Sequence, residues 1–84
     1  MVEPSVIEER IRGGITGVTH VTIEDLTGTK DHYQAVVVSA AFADLSRVEQ
    51  HQAVYRALGE LMAGPVHALA LQTFTPERWA SQKK

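Results

Sequence analysis

Apolar residues recur along this chain first at helical spacing, then in alternation, then at helical spacing again, and that succession predicts its elements. Ile7 and Ile11 lie four apart. Pro4 stands where a helix can begin, and Gly13-Gly14 stands where one stops, so residues 5–12 are expected to be helical. Residues 18–24 alternate, with Thr19, Val21 and Ile23 sharing one strand face. A polar loop follows over residues 25–31. Residues 32–39 form a second strand, whose Val36-Val37-Val38 run points to burial on both faces.

Ser46-Arg47-Val48-Glu49 has the form of a capping box: the serine accepts from an orphan amide and the glutamate reaches back to the cap. Apolar and semi-apolar residues follow at 48, 51, 55, 58 and 62, which predicts one buried helix face, with Gly64-Pro65 as the stop. Residues 66–74 read as a third strand. Thr75-Pro76-Glu77 then opens a short helix carrying Trp79, with threonine as cap and proline in the first turn. A short extra turn is expected over residues 40–43. The order is α-β-β-α-(α)-β-α, an α/β fold with a mixed three-stranded sheet whose helices cover one face.

Composition narrows the picture. A chain of 84 residues suits one domain, here residues 1–84, and leaves little volume for a deep private active site. There is no cysteine, so neither a disulfide framework nor a thiolate metal site is available from this chain. The start shows no basic and apolar leader, and no apolar run is long enough to cross a bilayer, so a cytoplasmic protein with no membrane partner is expected. The net charge is −2, which argues against broad phosphate binding.

No phosphate-cradling loop, nucleophile elbow or complete metal motif occurs, so the chain reads as a non-enzymatic module. Gly14-Ile15-Thr16-Gly17 matches the GxxG clamp of KH RNA-binding domains but lies between a helix and a strand, where a plain turn is the better reading. Ser5, Ser39 and Ser46 fall at element boundaries and suit capping. His51 is expected to pack, hydrogen-bonded, on the apolar helix face; His20 is expected to be exposed. His32 and His67 each begin a strand just after a loop. If those strands run parallel through a helical crossover, both histidines lie at one end of the sheet. Adjacent strands would set the two backbones roughly 5 Å apart, and one intervening strand roughly 10 Å. Imidazoles there could hold a borderline metal, though two do not close a tetrahedral site, so a partner or small thiol would complete it. From spacing alone, polar strand ends are the plainer reading.

At this point the chain resembles the BolA family over nearly its whole length. The matching stretches are Val21-Thr22-Ile23-Glu24-Asp25, His32-Tyr33, Val37-Val38-Ser39-Ala40-Ala41-Phe42 and Gln50-His51-Gln52-Ala53-Val54-Tyr55 with Leu58. The last are His67-Ala68-Leu69-Ala70-Leu71 and Thr73-Phe74-Thr75-Pro76-Glu77-Arg78-Trp79. The resemblance implies a fold like that of class II KH domains. It implies a monothiol glutaredoxin as partner and a [2Fe–2S] cluster shared with that protein and its glutathione, with none in the isolated chain, in iron–sulfur and iron homeostasis and redox regulation.

The family's cluster-ligating histidine carries over to His67. A second family ligand comes from the loop between the first two strands, and here residues 25–31 hold neither histidine nor cysteine. The second ligand therefore lies open between His32, Asp31 and another group; a carboxylate is the harder ligand and suits cluster iron less well. The family is also linked to transcriptional control through DNA, for which Arg47, Arg56, Lys83 and Lys84 are the candidate contacts. Alone, the chain is expected to be a monomer or a weak homodimer.

Overall fold

The structure, a computed structural model, describes residues 3–26, 28, 32–63 and 68–82, with the backbone alone at 32, 62, 63 and 68. Helix α1 spans Pro4–Gly14 and buries Ile7 and Ile11 completely. It runs through both glycines instead of stopping before them. Gly14 is retained there because α2 crosses at that point: a Cβ on Gly14 would sit 2.6 Å from the Ala57 Cβ. The chain then turns through residues 15–17, with Gly17 at φ 71, the left-handed region glycine adopts without steric cost.

Strand β1 (Val18–Asp25) pairs antiparallel with β2 (His32–Ser39), and β2 pairs parallel with β3 (Ala68–Phe74), giving the order β1-β2-β3. The mixed three-stranded sheet is therefore as the sequence implies. One irregularity interrupts β1: Val18 faces Ser39 and His20 faces Val38, so Thr19 is an extra residue. The bulge puts Val18, not Thr19, on the core face with Val21 and Ile23, and Thr19 is exposed.

Ser39 ends β2, fully buried. Its hydroxyl donates to the Thr16 carbonyl at 2.6 Å and accepts from the Ala41 amide at 3.1 Å, which caps the 3-10 turn Ala40–Asp44. Helix α2 (Arg47–Leu58) opens on the capping box: the Glu49 amide donates to Ser46 Oγ, and the Ser46 amide donates to the Glu49 carboxylate. It ends at Gly59, φ 56, and continues as a 3-10 turn over Gly59–Ala63. Gly64-Pro65, the expected stop, lies outside the described residues.

The buried face of α2 differs from the expected one. Gln50, Val54, Leu58 and Leu61 are buried, and Ala53 and Ala57 pack beside them, whereas Val48 is 66% exposed and Tyr55 39% exposed. Two small residues and a glutamine make this face look polar in the sequence. Alanine lets α1 and α2 approach closely, and Gln50 spends all its hydrogen-bonding capacity inward. Its amide nitrogen donates to the Phe42 and Leu45 carbonyls at 3.1 and 3.0 Å, and its carbonyl accepts from Thr73 Oγ1 at 2.6 Å.

Helices α1 and α2 cover the sheet face that carries Val21, Val37, Leu69 and Leu71. The short helix α3 (Pro76–Gln82) does not join them. Thr75 caps it, accepting from the Arg78 amide at 3.3 Å, and its Trp79 lies against Phe74 and His20 on the opposite face. Both faces therefore carry helix, a correction to the single covered face expected above. This explains why Val38, which alternates away from the α1–α2 core, is fully buried.

Candidate functional site

The β2–β3 ladder sets the geometry of the candidate site. The strands are adjacent and parallel, with His32 in register with Ala68 and Val38 with Phe74. Neighbouring strands lie about 4.8 Å apart, so the start of β2 and the start of β3 form one short edge at the same end of the sheet. The parallel pairing of β2 and β3 through an α2 crossover, supposed from the sequence, is present. His67 immediately precedes Ala68 in the chain. His67 and Asp31 lie outside the described residues, and His32 is described in its backbone only.

The chemistry of this donor set fits a ligating role of one kind. Imidazole is a borderline ligand suited to iron, and one or two imidazoles at a strand edge leave coordination positions for a second molecule. Among the described residues no group of three or more His, Cys, Asp or Glu comes together, so none of them encloses a metal. An open site completed from outside is the arrangement these residues can support.

The other two histidines have structural surroundings of their own. His20 is half-buried, not exposed as expected: its ring stacks on Trp79 with centroids 4.9 Å apart and planes 25° from parallel, and its Nε2 lies 2.8 Å from Thr22 Oγ1. His51 is half-buried on the flank of α2. Among the described residues it makes no hydrogen bond, so the packed and bonded ring expected for it is half right. It lines a groove of about 170 Å³ between α2 and β3, with Arg47, Leu71, Gln72, Thr73 and Phe74. This groove was missed in the sequence because its two walls come from elements 20 or more residues apart; the i,i+4 spacing of Arg47 and His51 was the one local signal.

Gly14-Ile15-Thr16-Gly17 is the turn between α1 and β1, stitched to the end of β2 by the Ser39 hydroxyl. Of the basic residues considered for DNA, Arg47 and Arg56 are both exposed on α2. Nine residues at about 100° each put them on opposite sides of the helix. Lys83 and Lys84 lie outside the described residues. No helix among the described residues is long and apolar enough to cross a membrane.

Comparison with known proteins agrees with the fold. Residues 15–78 match the model of the BolA-like protein family. The "DNA-binding transcriptional regulator BolA" of Haemophilus influenzae is 42% identical over 57 residues, covering 68% of this chain and 55% of that protein. BolA-like protein 1 of Bos taurus is 40% identical over 78 residues, covering 93% of this chain and 53% of that protein. The chain thus spans about half the length of these curated relatives. Among solved structures, a BolA homologue from Coxiella burnetii superposes with a TM-score of 0.81 at 31% identity, covering 95% of this chain and 99% of that one. Yeast Fra2 superposes with a TM-score of 0.75, also at 31% identity, covering 94% and 85%. With the family's element order, its mixed sheet and a family match across more than half its length, this chain belongs to the BolA-like family.

Proposed function

We propose that this chain is a non-enzymatic adaptor that binds a monothiol glutaredoxin and co-ligates a [2Fe–2S] cluster with it and its glutathione, serving iron–sulfur and iron homeostasis and redox regulation. The observation that carries the reading is the β2–β3 register, which puts the strand start bearing His32 beside Ala68, the residue that follows His67. Family membership supports it. The cluster, when bound, supplies a redox-active iron centre tuned by its ligands. The chain contributes a neutral imidazole as ligand and leaves the rest of the coordination to the partner. A cytosolic setting and a monomeric free chain belong to the same reading.

The test mixes the chain with a monothiol glutaredoxin, ferrous iron, sulfide and glutathione, and records visible absorption and circular dichroism. The mixed sample is expected to differ from the glutaredoxin alone, and His67→Ala is expected to erase that difference. A spectrum unchanged by His67→Ala would overturn the ligand assignment.

A second reading, a DNA-binding regulator, is favoured by the name of the Haemophilus influenzae relative. It calls for a basic face, which Arg47 and Arg56 do not form together. Its test is binding to duplex DNA at low salt, with affinity that falls steeply as salt rises.

A further inference from the structure

The two edges of the sheet are defended unequally. β1, one edge, carries the bulge at Thr19 and the charges of Glu24 and Asp25. These are the devices by which natural sheets discourage an added strand. β3, the other edge, is Ala68-Leu69-Ala70-Leu71-Gln72-Thr73-Phe74, with no charge, no proline and no bulge. Its outer side pairs with no strand among the described residues.

A groove runs along that open edge. Residues 71–74 form one wall, and Arg47 and His51 of α2 form the other. The two α2 residues are one turn apart and so share a flank. No carboxylate lines the groove. Glu49 projects about 200° around the helix from Arg47, and its carboxylate is held by the Ser46 amide. Beyond His51 the same flank continues to Tyr55 and Val48, the two large apolar residues of α2 left exposed. The 48-51-55 stripe that the sequence marks as a buried face is thus bare in the isolated chain and adjoins the groove.

We propose that this groove docks an extended acidic segment of a partner protein, which adds to the sheet as a strand alongside β3. Main-chain bonds to the unpaired edge supply register-independent affinity, and alternate side chains select the sequence. Inward residues meet Leu71 and the α2 flank, and a carboxylate meets Arg47. A second copy of this chain is the poorer occupant, because its own β3 offers no acid to Arg47. The groove begins at Leu71, three residues along β3 from Ala68, so its lining does not include the strand starts at His32 and Ala68. The proposal therefore stands independently of any cluster.

The probe is a fluorescein-labelled octapeptide alternating valine and glutamate, titrated into the full chain by anisotropy and by amide chemical shifts. Saturable binding is expected, with shifts confined to residues 69–74 and to the 47–55 flank of α2. Arg47→Glu, with folding checked by circular dichroism, is expected to weaken binding roughly tenfold or more. Methylating alternate peptide nitrogens on the pairing side is expected to abolish it. The proposal is overturned by absence of saturation, by a valine–lysine octapeptide binding as tightly, by indifference to N-methylation, or by shifts elsewhere. It is equally overturned if a single-stranded oligonucleotide, or self-association of the chain, occupies the groove in preference to the peptide.

Discussion

Thr73 Oγ1 donates a 2.6 Å hydrogen bond to Gln50 Oε1 across the seam between β3 and α2, and both residues are buried. Through the same side chain Gln50 also bonds the carbonyls of Phe42 and Leu45. One glutamine thereby ties the 3-10 turn after β2, the main helix and the last strand together. Phe42 and Thr73 are buried and Leu45 partly so, so loss of the side chain leaves polar groups unmet inside. Thr73→Val is expected to lower stability by about 1–3 kcal/mol, since it keeps the shape and orphans one acceptor. Gln50→Leu is expected to cost more, because two carbonyls and a hydroxyl lose their partner at once. Urea unfolding monitored by circular dichroism measures both, and equal midpoints for Gln50→Leu and the wild type would refute the account.

The adjacent glycines of α1 make a controlled pair. A Cβ at Gly13 would meet nothing within 4 Å, whereas one at Gly14 would meet the Ala57 Cβ at 2.6 Å. Both residues are helical, so alanine gains about 1 kcal/mol of helix propensity at either position. At Gly13 that gain stands alone, and Gly13→Ala is expected to stabilise the chain by up to about 1 kcal/mol. At Gly14 the clash outweighs it, because α1 and α2 are packed on the fully buried Ile7, Ile11, Val54 and Leu58. Overpacking costs about 1–3 kcal/mol, so Gly14→Ala is expected to destabilise. Ala57→Gly in the same chain is expected to recover much of the loss. Thermal melts of the three variants and the wild type decide the matter by their order.

The sequence made these elements legible wherever a local signal sufficed. Ser46 and Glu49 announced the start of α2, and Thr75 and Pro76 that of α3; the parallel pairing of β2 and β3 entered the sequence reading as a condition, which the ladder meets. It misled where tertiary packing overrode a local pattern. Gln50 reads as polar and is buried because Thr73, Phe42 and Leu45 all need it. Val48 and Tyr55 read as core and are exposed because Ala53 and Ala57 let α1 dock on the other flank. Thr19 shares a face with Val21 only if the strand is regular, and a bulge leaves no unambiguous mark in a single sequence. For the candidate site the sequence left open whether β2 and β3 are neighbours or have a strand between them, and the ladder makes them neighbours. The choice of ligand was not, since histidine at a strand start serves packing and metal binding equally well.

Trp79 is the sole tryptophan, and His20 stacks on it from β1. With Phe74 at 5.4 Å between centroids, the three rings hold α3 against the face opposite the main helices. Aromatic pairs of this kind contribute about 0.5–1.5 kcal/mol beyond their burial. His20→Ala is expected to destabilise by that order and to shift Trp79 emission to longer wavelength as the indole gains water. Thr22→Val, which removes only the hydroxyl beside His20 Nε2, is expected to leave the emission nearly unchanged. If His20→Ala leaves the emission maximum where it was, the stacked imidazole does not shield the indole from water.

The second ligand of the proposed shared cluster is open between His32, Asp31 and another group, and the sheet supplies a reason to prefer the first over the second. His32 stands in the β2–β3 ladder, in register with Ala68, so its backbone is fixed relative to the start of β3. Asp31 precedes the strand and offers a hard carboxylate, which suits cluster iron less well than imidazole. His32→Ala is therefore expected to alter the visible circular dichroism of the complex with a monothiol glutaredoxin, and Asp31→Asn to leave it as it is. His32→Cys gives a sharper discrimination. A thiolate in place of an imidazole lowers the reduction potential of a [2Fe–2S] centre, so this variant is expected to keep its colour and become harder to reduce. If the potential is the same in His32→Cys as in the wild type, position 32 does not touch the iron. A changed potential in Asp31→Asn alone would move the assignment to the loop.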